Sequence, residues 1–551
     1  MLEAALIVFN GRIWTGQPYP LPGGKVTPAI FAEAVAIANG RFLAVGSNQQ
    51  IKVYTGRNTK IIDLQGRMAM PGFIDSHVHF IFGSLRISQV YLKDARNEAE
   101  FAHRIAQKAG KLGPGKWILG GTWDETNWPS SRLPTRWMID PVTPEAPVCV
   151  ERYDGHEFLA NSLALQLAGI TKHTPDPPGG VIVRDSSTGE PTGILKDTAI
   201  AAIEKIIPRP SWNEFEAALR AGLIEARRYG VTSVQDMYLS RFWSPNDSLF
   251  DLIQLLRRAE SEGWLTCRFY VLTPIERWEQ LAQAGVRYAS GSDYLRVGAV
   301  KGFADGSTGS CTSWFHEDYT DQPGYFGVPR QRHGEMESMV RSADAAGLQI
   351  AVHAIGDRAN TEMLEIYERV GGAVAAARRF RIEHAQHVRP EEFAKFAELG
   401  VIASMQPYHA IDDGRWLQNR IGLERSRTSF AWRSMLDAGV PLAFGTDWPI
   451  APLNPLLGIW AAVTRQTLDH KHPEGWIPEQ RVTLGEALRA YTQASAYAEF
   501  QEKVKGTIAP EMLADMVVLS ADLFSVPANQ IKDERVILTM VGGKVVYQES
   551  V

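Results

Sequence analysis

The sequence predicts an α/β protein whose centre is a (β/α)₈ TIM barrel. Three observations carry this prediction: eight short apolar segments typical of buried strands, helical stretches between most of them, and polar residues at strand ends. An open doubly wound sheet is the alternative, but the sequence shows no G-x-G-x-x-G or phosphate loop after a first strand to favour it. We therefore expect a parallel barrel with β-rich segments at both chain ends.

Both ends of the chain are predicted to be rich in β-strands. Residues 1–69 combine β-branched residues with turns such as Asn10-Gly11 and Asn39-Gly40, which are typical of hairpins. Residues 506–551 show the same pattern, with a Gly-Gly turn at 542–543. We expect the ends to pair into one composite β-sandwich; the alternative is two separate β appendages.

The predicted barrel occupies residues 70–505. Its strand candidates are 71–79, 230–236, 267–272, 295–303, 348–354, 380–385, 400–406 and 440–447. Amphipathic helices lie between most of them, such as 390–400, which ends in Gly400 as a helix stop should. The gap after the first strand is too long for a loop, so an inserted subdomain is predicted at about 82–212.

Composition narrows the class of protein. The 551 residues carry a net charge of −5, which gives no reason to expect nucleic acid or an anionic membrane as partner. The three cysteines, Cys149, Cys267 and Cys311, are far apart and odd in number, so we expect no disulfide framework and a reducing compartment. No signal-peptide pattern and no long apolar run appear, which favours a cytoplasmic protein without a membrane span.

Candidate metal ligands lie at the ends of the predicted strands. His77 and His79 are two residues apart, so they project to the same face of the first strand. His353, His384 and Asp447 end the fifth, sixth and eighth strands. Taken singly, each is also typical of a hydrogen-bonded polar residue, and Asp447 of a turn cap. Together, at the face where barrel enzymes do chemistry, imidazoles and a carboxylate predict a site that suits Zn²⁺.

Lys301 lies inside an otherwise apolar strand, the fourth of the predicted barrel. A buried lysine is costly unless it is neutralised or paired. One interpretation is an ion pair, for example with Asp305, or an exposed strand end. The other is reaction of the neutral amine with CO₂, which gives an anionic carbamate whose two oxygens can bridge two cations.

These segments resemble the amidohydrolase superfamily, and more narrowly its amidohydrolase 3 group of metal-dependent deacylases, which includes N-substituted formamide deformylase. The resemblance rests on PGFIDSHVH, GVTSVQD, a lysine on the fourth strand, HAIGDRAN, RIEHAQ and GTDWP, in this order. It covers essentially the whole chain. It implies two divalent metal ions, with Zn²⁺ favoured, and a homodimer as the family's usual assembly.

The resemblance also implies a ligand set. Its members are His77, His79, His353, His384, Asp447 and Lys301 in carboxylated form. His77 and His79 would hold the more buried ion, and carboxylated Lys301 would bridge it to the second ion. Asp447 would bind metal and also carry protons.

The expected activity is hydrolysis of a carbon–nitrogen bond other than a peptide bond, in an N-substituted formamide, an N-acyl amine or a cyclic imide. A divalent ion lowers the pKa of water to about 7 and so makes hydroxide available. Asp447 would accept its proton and pass it to the leaving amine. Deamination of a heterocycle and ester or lactone hydrolysis on the same site are alternatives, as is a metal-free binding protein on this scaffold.

Substrate contacts are predicted in the inserted subdomain and in loops near the strand ends. The candidates are His156, Tyr153, Trp123, Trp314, Gln406 and His409. His156 is the candidate that grips the carbonyl oxygen, and is therefore predicted to be catalytic beside Asp447. The tryptophans predict a small-molecule substrate with an apolar or aromatic group.

Overall fold

The computed structural model describes residues 3–17, 29–125, 128–130, 132–153, 157–177, 180–237, 250–332 and 334–550. The chain divides into two compact units. The barrel unit contains Met1–Phe80 and most of the chain from Arg220 onward, whereas the inserted unit contains Ile81–Leu219.

The N-terminal segment of the barrel unit is rich in strands. They are β1 (Leu6–Phe9), β2 (Arg12–Trp14), β3 (Phe31–Ala32), β4 (Ala34–Ala38), β5 (Arg41–Gly46), β6 (Lys60–Asp63) and β7 (Met68–Pro71), with α1 (Asn48–Lys52) after β5. Helix α1 begins at a capping box in which Ser47 and Gln50 satisfy each other's backbone N–H groups. Strands β5, β4, β1 and β6 form one sheet in that order.

The inserted unit follows β8 (Phe73–Val78), the first barrel strand. Its elements are α2 (Phe80–Ile87), β9 (Val90–Tyr91), α3 (Glu98–Leu112), β10 (Ile118–Trp123), α4 (Arg136–Ile139), β11 (Val148–Arg152), β12 (Glu157–Ala160), α5 (Ser162–Leu167), β13 (Gly180–Arg184), β14 (Pro191–Asp197) and α6 (Ala201–Glu204), before α7 (Trp212–Arg228). The strands form one sheet in the order β13-β14-β12-β11-β10-β9. Phe101 and Ile105 of α3 are buried in the core of this unit.

Eight parallel strands form the barrel. They are β8, β15 (Val231–Asp236), β16 (Arg268–Pro274), β18 (Leu295–Phe303), β19 (Gln349–Ala354), β20 (Arg381–His384), β21 (Ile402–Met405) and β22 (Leu442–Phe444), with β17 (Ser290–Gly291) beside β18. Each of the eight overlaps a predicted strand. Residues after β22 join the last strand to the first: Asp447 N donates to His77 O at 2.7 Å, and His79 N donates to Trp448 O at 2.8 Å. The barrel is nearly closed, which confirms the predicted α/β barrel.

Helices follow most of the barrel strands. They are α8 (Phe250–Ser261), α9 (Trp278–Gln283), α10 (Glu335–Ala345), α11 (Asp357–Gly371), α12 (Ala375–Arg378), α13 (Glu392–Leu399), α14 (Pro407–Asp413), α15 (Leu417–Ser426), α16 (Trp432–Asp437), α17 (Pro455–Thr464), α18 (Leu484–Ala490) and α19 (Gln493–Ala498). Short 3-10 turns lie at Asp140–Val142, Thr198–Ile200, Ile275–Arg277, Gly372–Val374, Pro478–Gln480 and Ala528–Asp533. Helix α13 ends at Gly400, whose φ of 61° is left-handed, as the sequence predicts. Among the described residues, no helix has the length and apolar character that crossing a membrane requires.

The C-terminal strands return to the N-terminal ones. They are β23 (Met516–Leu519), β24 (Val536–Val541) and β25 (Lys544–Gln548). Strand β23 pairs antiparallel with β7, with Val517 opposite Met70, so one sheet has the order β25-β24-β23-β7-β2-β3. Val8 and Val35 of the other sheet share a core cluster with Met540 of this one. Both chain ends therefore contribute to one sheet, and the two sheets share apolar contacts.

Candidate metal centre

The C-terminal ends of the barrel strands bring five predicted ligands together. His77, His384 and Asp447 are buried, and each offers a ligand atom within 4.8 Å of the others. Oδ1 of Asp447 lies 3.1 Å from His79 Nε2 and 3.5 Å from His77 Nε2. The rings of His353 and His384 have centroids 4.5 Å apart. Four imidazoles and a carboxylate therefore form one cluster.

Lys301 extends this cluster from the fourth barrel strand. Its side chain is only 2% exposed, and Nζ lies 5.0 Å from the centre of the Phe303 ring, which packs against His353. In the part of the chain that the structure describes, Nζ has no hydrogen-bond partner. Burial lowers the pKa of Lys301 to about 8. The amine is thus buried without a hydrogen-bond partner among the described residues.

Asp305 does not pair with Lys301, so the ion pair considered from the sequence is absent between these two residues. The Asp305 carboxylate is fully buried and accepts three backbone N–H groups, from Trp314 at 2.8 Å, Ile355 at 3.0 Å and Gly356 at 2.8 Å. These bonds tie the loop after β18 to the end of β19.

The ring nitrogens of His77 and His384 are assigned by their partners. His77 Nδ1 lies 2.6 Å from Glu383 Oε2, and His384 Nδ1 lies 2.7 Å from Gln406 Oε1. Both partner atoms accept hydrogen bonds, so Nδ1 carries the proton and Nε2 keeps a lone pair that can bind metal.

In the ring of His353 the roles of the two nitrogens are exchanged. Its Nε2 lies 3.0 Å from the carbonyl oxygen of Gly306, which can only accept. Nε2 therefore carries the proton, and Nδ1 is the nitrogen with a free lone pair.

The electrostatics of the cluster favour the neutral form of His77, His353 and His384 and the ionised form of Asp447. Burial, together with the nearby Lys301, lowers the pKa of His77 to about 4 and that of His353 to about 3. Burial also holds the pKa of His384 well below its usual range. For Asp447, burial raises the pKa, but His77 and His79 outweigh it and bring the pKa well below its usual value.

This donor set fits a divalent metal ion. Zn²⁺ binds neutral imidazole nitrogens and ionised carboxylate oxygens, which are the forms that the pKa shifts of His77, His353, His384 and Asp447 favour. The buried nitrogen His77 Nε2 has no hydrogen-bond partner among the described residues. This is expected of an atom that binds a metal, because buried polar atoms are otherwise almost always hydrogen-bonded. The residues present therefore suit Zn²⁺ or a similar ion.

The backbone around two of the predicted ligands is strained. His384 has φ of 74° and Asp447 has φ of 60°, in the left-handed region that side chains rarely adopt. Asp75 on β8 holds the second of these segments, because its carboxylate accepts Thr446 N at 2.9 Å and Thr446 Oγ1 at 2.6 Å. The first barrel strand thus anchors the loop that carries Asp447.

Three predicted substrate contacts lie in the barrel unit. His409, in α14, has Nε2 3.7 Å from Asp447 Oδ2 and is therefore part of the cluster. Gln406 is buried, and its oxygen faces His384. The half-buried Trp314 ring packs under the guanidinium of Arg358, with Cζ 4.6 Å from the ring centre.

The other predicted contacts belong to the inserted unit. His156 lies outside the described residues. Trp123 is fully buried in the core of the unit, where its ring packs edge-on against Phe101, so it presents no surface to a substrate. Tyr153 is 51% exposed, and the Arg152 guanidinium lies 4.6 Å from its ring centre.

Glu383, Arg381 and Asp75 belong to the site but were missed in the sequence. All three are buried in strands. Burial raises the pKa of Glu383, but Arg381 and His77 outweigh it and bring it to about 2. The signal that singled out Lys301, a charged residue within a buried strand, applies equally to these three.

Comparison with known proteins shows which family this chain is similar to. A model described as "Amidohydrolase family" matches residues 60–547. The chain is 38% identical to Protein LONG AFTER FAR-RED 3 of Arabidopsis thaliana, over 99% of this chain and 92% of that protein. It is 27% identical to N-substituted formamide deformylase of Arthrobacter pascens, over 94% and 95%. An uncharacterized metal-dependent hydrolase of Pyrococcus horikoshii superposes with a TM-score of 0.77 at 26% identity, covering 95% and 99%.

Proposed function

The chain belongs to the amidohydrolase family, and from this premise we propose that it is a metal-dependent hydrolase that cleaves an amide-type carbon–nitrogen bond in a small molecule. The substrate class is an N-substituted formamide, an N-acyl amine or a cyclic imide. The observation that carries the proposal is the cluster of buried imidazoles around Asp447, whose pKa lies well below its usual value. The relative named N-substituted formamide deformylase supports the choice of bond.

Five side chains and a modified lysine would hold two divalent ions, preferably Zn²⁺. The five are His77, His79, His353, His384 and Asp447. When bound, such an ion lowers the pKa of water to about 7 and polarises a carbonyl group.

Lys301 would supply the anion between the two ions. Its buried amine has no partner in the described structure and lies near the ring contact between Phe303 and His353. The nitrogen lone pair would add to the carbon of CO₂, and Nζ would lose one proton to solvent. The product is an anionic carbamate, and its buried charge would be balanced by the cations that it holds.

Asp447 would move the proton of the reaction. Its Oδ1 faces His77 and His79, whereas its Oδ2 faces His409 at 3.7 Å. A carboxylate in this place can accept the proton of the attacking water and donate it to the leaving amine. His409 lies on the Oδ2 side, where it can hold a substrate carbonyl oxygen.

We also propose, from the sequence, that the substrate carries an apolar or aromatic group and that the protein is a homodimer. Trp314 and Tyr153 remain aromatic candidates for substrate contact, since Trp123 is buried in the core of the inserted unit. Light scattering during gel filtration tests the dimer.

Metal content tests the proposed function. Protein purified without chelator should contain about two Zn²⁺ per chain by elemental mass spectrometry, and a His353→Gln variant should contain less. Exposed His103, in the inserted unit, offers a matched control, and His103→Gln should keep the wild-type content. One ion per chain would favour a mononuclear deacylase or a deaminase, whereas no ion after reconstitution would contradict the proposal. The loaded enzyme is then screened on N-formyl and N-acyl amines beside matched esters.

The lysine is tested separately. Intact mass near neutral pH should show one added CO₂, and Lys301→Ala should lower metal content, with partial rescue by a small carboxylate such as acetate. Lys471→Ala, at a mostly exposed lysine, is the control. Metal content unchanged by Lys301→Ala would remove the bridging role.

A further inference from the structure

A polar network crosses the barrel interior below the metal cluster. Arg381 is fully buried, and its Nε donates to Glu383 Oε1 at 2.8 Å. Its Nη2 donates to Ser76 O at 2.8 Å and to Ser404 Oγ at 3.3 Å, and Nη1 donates to Gln235 Oε1. The acceptors lie on β20, β8, β21 and β15, so one guanidinium braces four strands.

The network ends on a metal ligand. One oxygen of Glu383 binds Arg381, and the other, Oε2, lies 2.6 Å from His77 Nδ1. Both side chains of the Arg381–Glu383 pair are 0% exposed. The carboxylate is therefore held from one side and acts on the His77 ring from the other.

Stability alone does not explain such a pair. Barrel interiors are usually filled by branched apolar side chains, and replacement of a buried ion pair by apolar residues is often neutral or stabilising. A carboxylate on the far nitrogen of a metal-binding histidine has a distinct effect: it fixes the proton on that nitrogen, orients the ring and makes the other nitrogen a stronger ligand.

We infer that Glu383 is a positioning residue that raises the metal affinity of the centre through His77, and that Arg381 holds it in place. The inference rests on the proposed function, since it assumes a metal at His77. Among the three rings with an assigned partner, His77 alone hydrogen-bonds to a carboxylate. His384 bonds to the Gln406 amide and His353 to the Gly306 carbonyl, with Asp305 Oδ1 farther from His353 Nε2 at 3.5 Å. The effect of Glu383 should therefore fall on the ion that His77 binds.

Zinc affinity of the purified full-length chain, measured by competition with a chromophoric chelator, tests the inference. Glu383→Gln removes the charge. Glu383→Asp keeps the charge and can keep the pair with Arg381, but withdraws the carboxylate from His77 by about 1.5 Å, one carbon–carbon bond. We expect both to bind one Zn²⁺ about 10–100-fold more weakly than wild type. If the Glu383→Gln variant does not fold, the Glu383→Asp variant still tests the inference.

A matched control separates positioning from folding. Arg268 and Asp515 form another buried pair, at 2.7 and 2.8 Å, with Arg268 on β16. Asp515→Asn should lower the free energy of unfolding and leave zinc affinity unchanged. Wild-type zinc affinity in folded Glu383→Asp would overturn the inference while leaving the proposed function intact. A wild-type chain without zinc affinity would overturn both.

Discussion

At Asp447, substitution by asparagine removes the charge of the side chain and keeps its shape. Asp447→Asn keeps the size of the side chain, so we expect the fold to remain and turnover to fall by about 10²–10⁴-fold, because the amide cannot accept the proton. The measurement is kcat on the best substrate of the screen, with metal content determined on the same sample. Turnover above about a tenth of the wild-type value, at full metal content, would contradict the role in proton transfer.

Individual residues show how far the sequence could predict the site. Five candidate ligands could be predicted because each is a residue type that binds metals and lies at a strand end. They are His77, His79, His353, His384 and Asp447. The structure brings all five together.

The partner of Glu383 and the burial of Trp123 are what the sequence could not predict. The partner of Glu383, His77, is 306 residues away, and no local pattern reports such a pair. Trp123 was predicted to line the pocket but packs in a core, because aromatic residues serve both purposes.

At the level of elements, the loop after β22 depends on one hydroxyl. Thr446 Oγ1 donates to Asp75 Oδ2 at 2.6 Å and accepts Trp448 N at 3.1 Å. Thr446→Val leaves a buried carboxylate oxygen without its donor, so we expect the free energy of unfolding to fall by about 1–3 kcal/mol. Metal content should fall as well, because the loop carries Asp447.

Thr446→Ser is the matched control for this loop. It keeps the hydroxyl and should keep wild-type metal content. Urea unfolding and elemental analysis of both variants provide the comparison. Equal metal content in the Val and Ser variants would show that the hydroxyl does not position Asp447.

The elements themselves were largely predictable. All eight barrel strands overlap their predicted segments, because a buried parallel strand is a short apolar run with a clear beginning and end. The pairing of the strands was harder to predict from the sequence. Two-residue strands such as β3 and β9 are defined by their partners and carry no periodic pattern of their own.

At the level of the whole molecule, the C-terminal segment is tied to the barrel by a buried charge pair. Asp515, just before β23, accepts Arg268 Nε and Nη2 and also Gly542 N. Asp515→Asn leaves the guanidinium buried without its counter-charge, so we expect the free energy of unfolding to fall by about 3–5 kcal/mol. Urea denaturation measures this, and a loss below about 1 kcal/mol would show that the pair does not hold the segment.

The pairing of β7 with β23 also bears on how the protein is made. Met70 leaves the ribosome long before Val517, its neighbour in the sheet, which follows more than four hundred residues later. At about 5–20 residues per second, β7 waits roughly 20 to 90 seconds for its partner. During that interval its apolar edge is open to other chains and to chaperones. A message cut short within the barrel would leave the β23 side of this strand permanently unpaired, while its other side could still pair with β2. A truncated product would therefore expose one open strand edge.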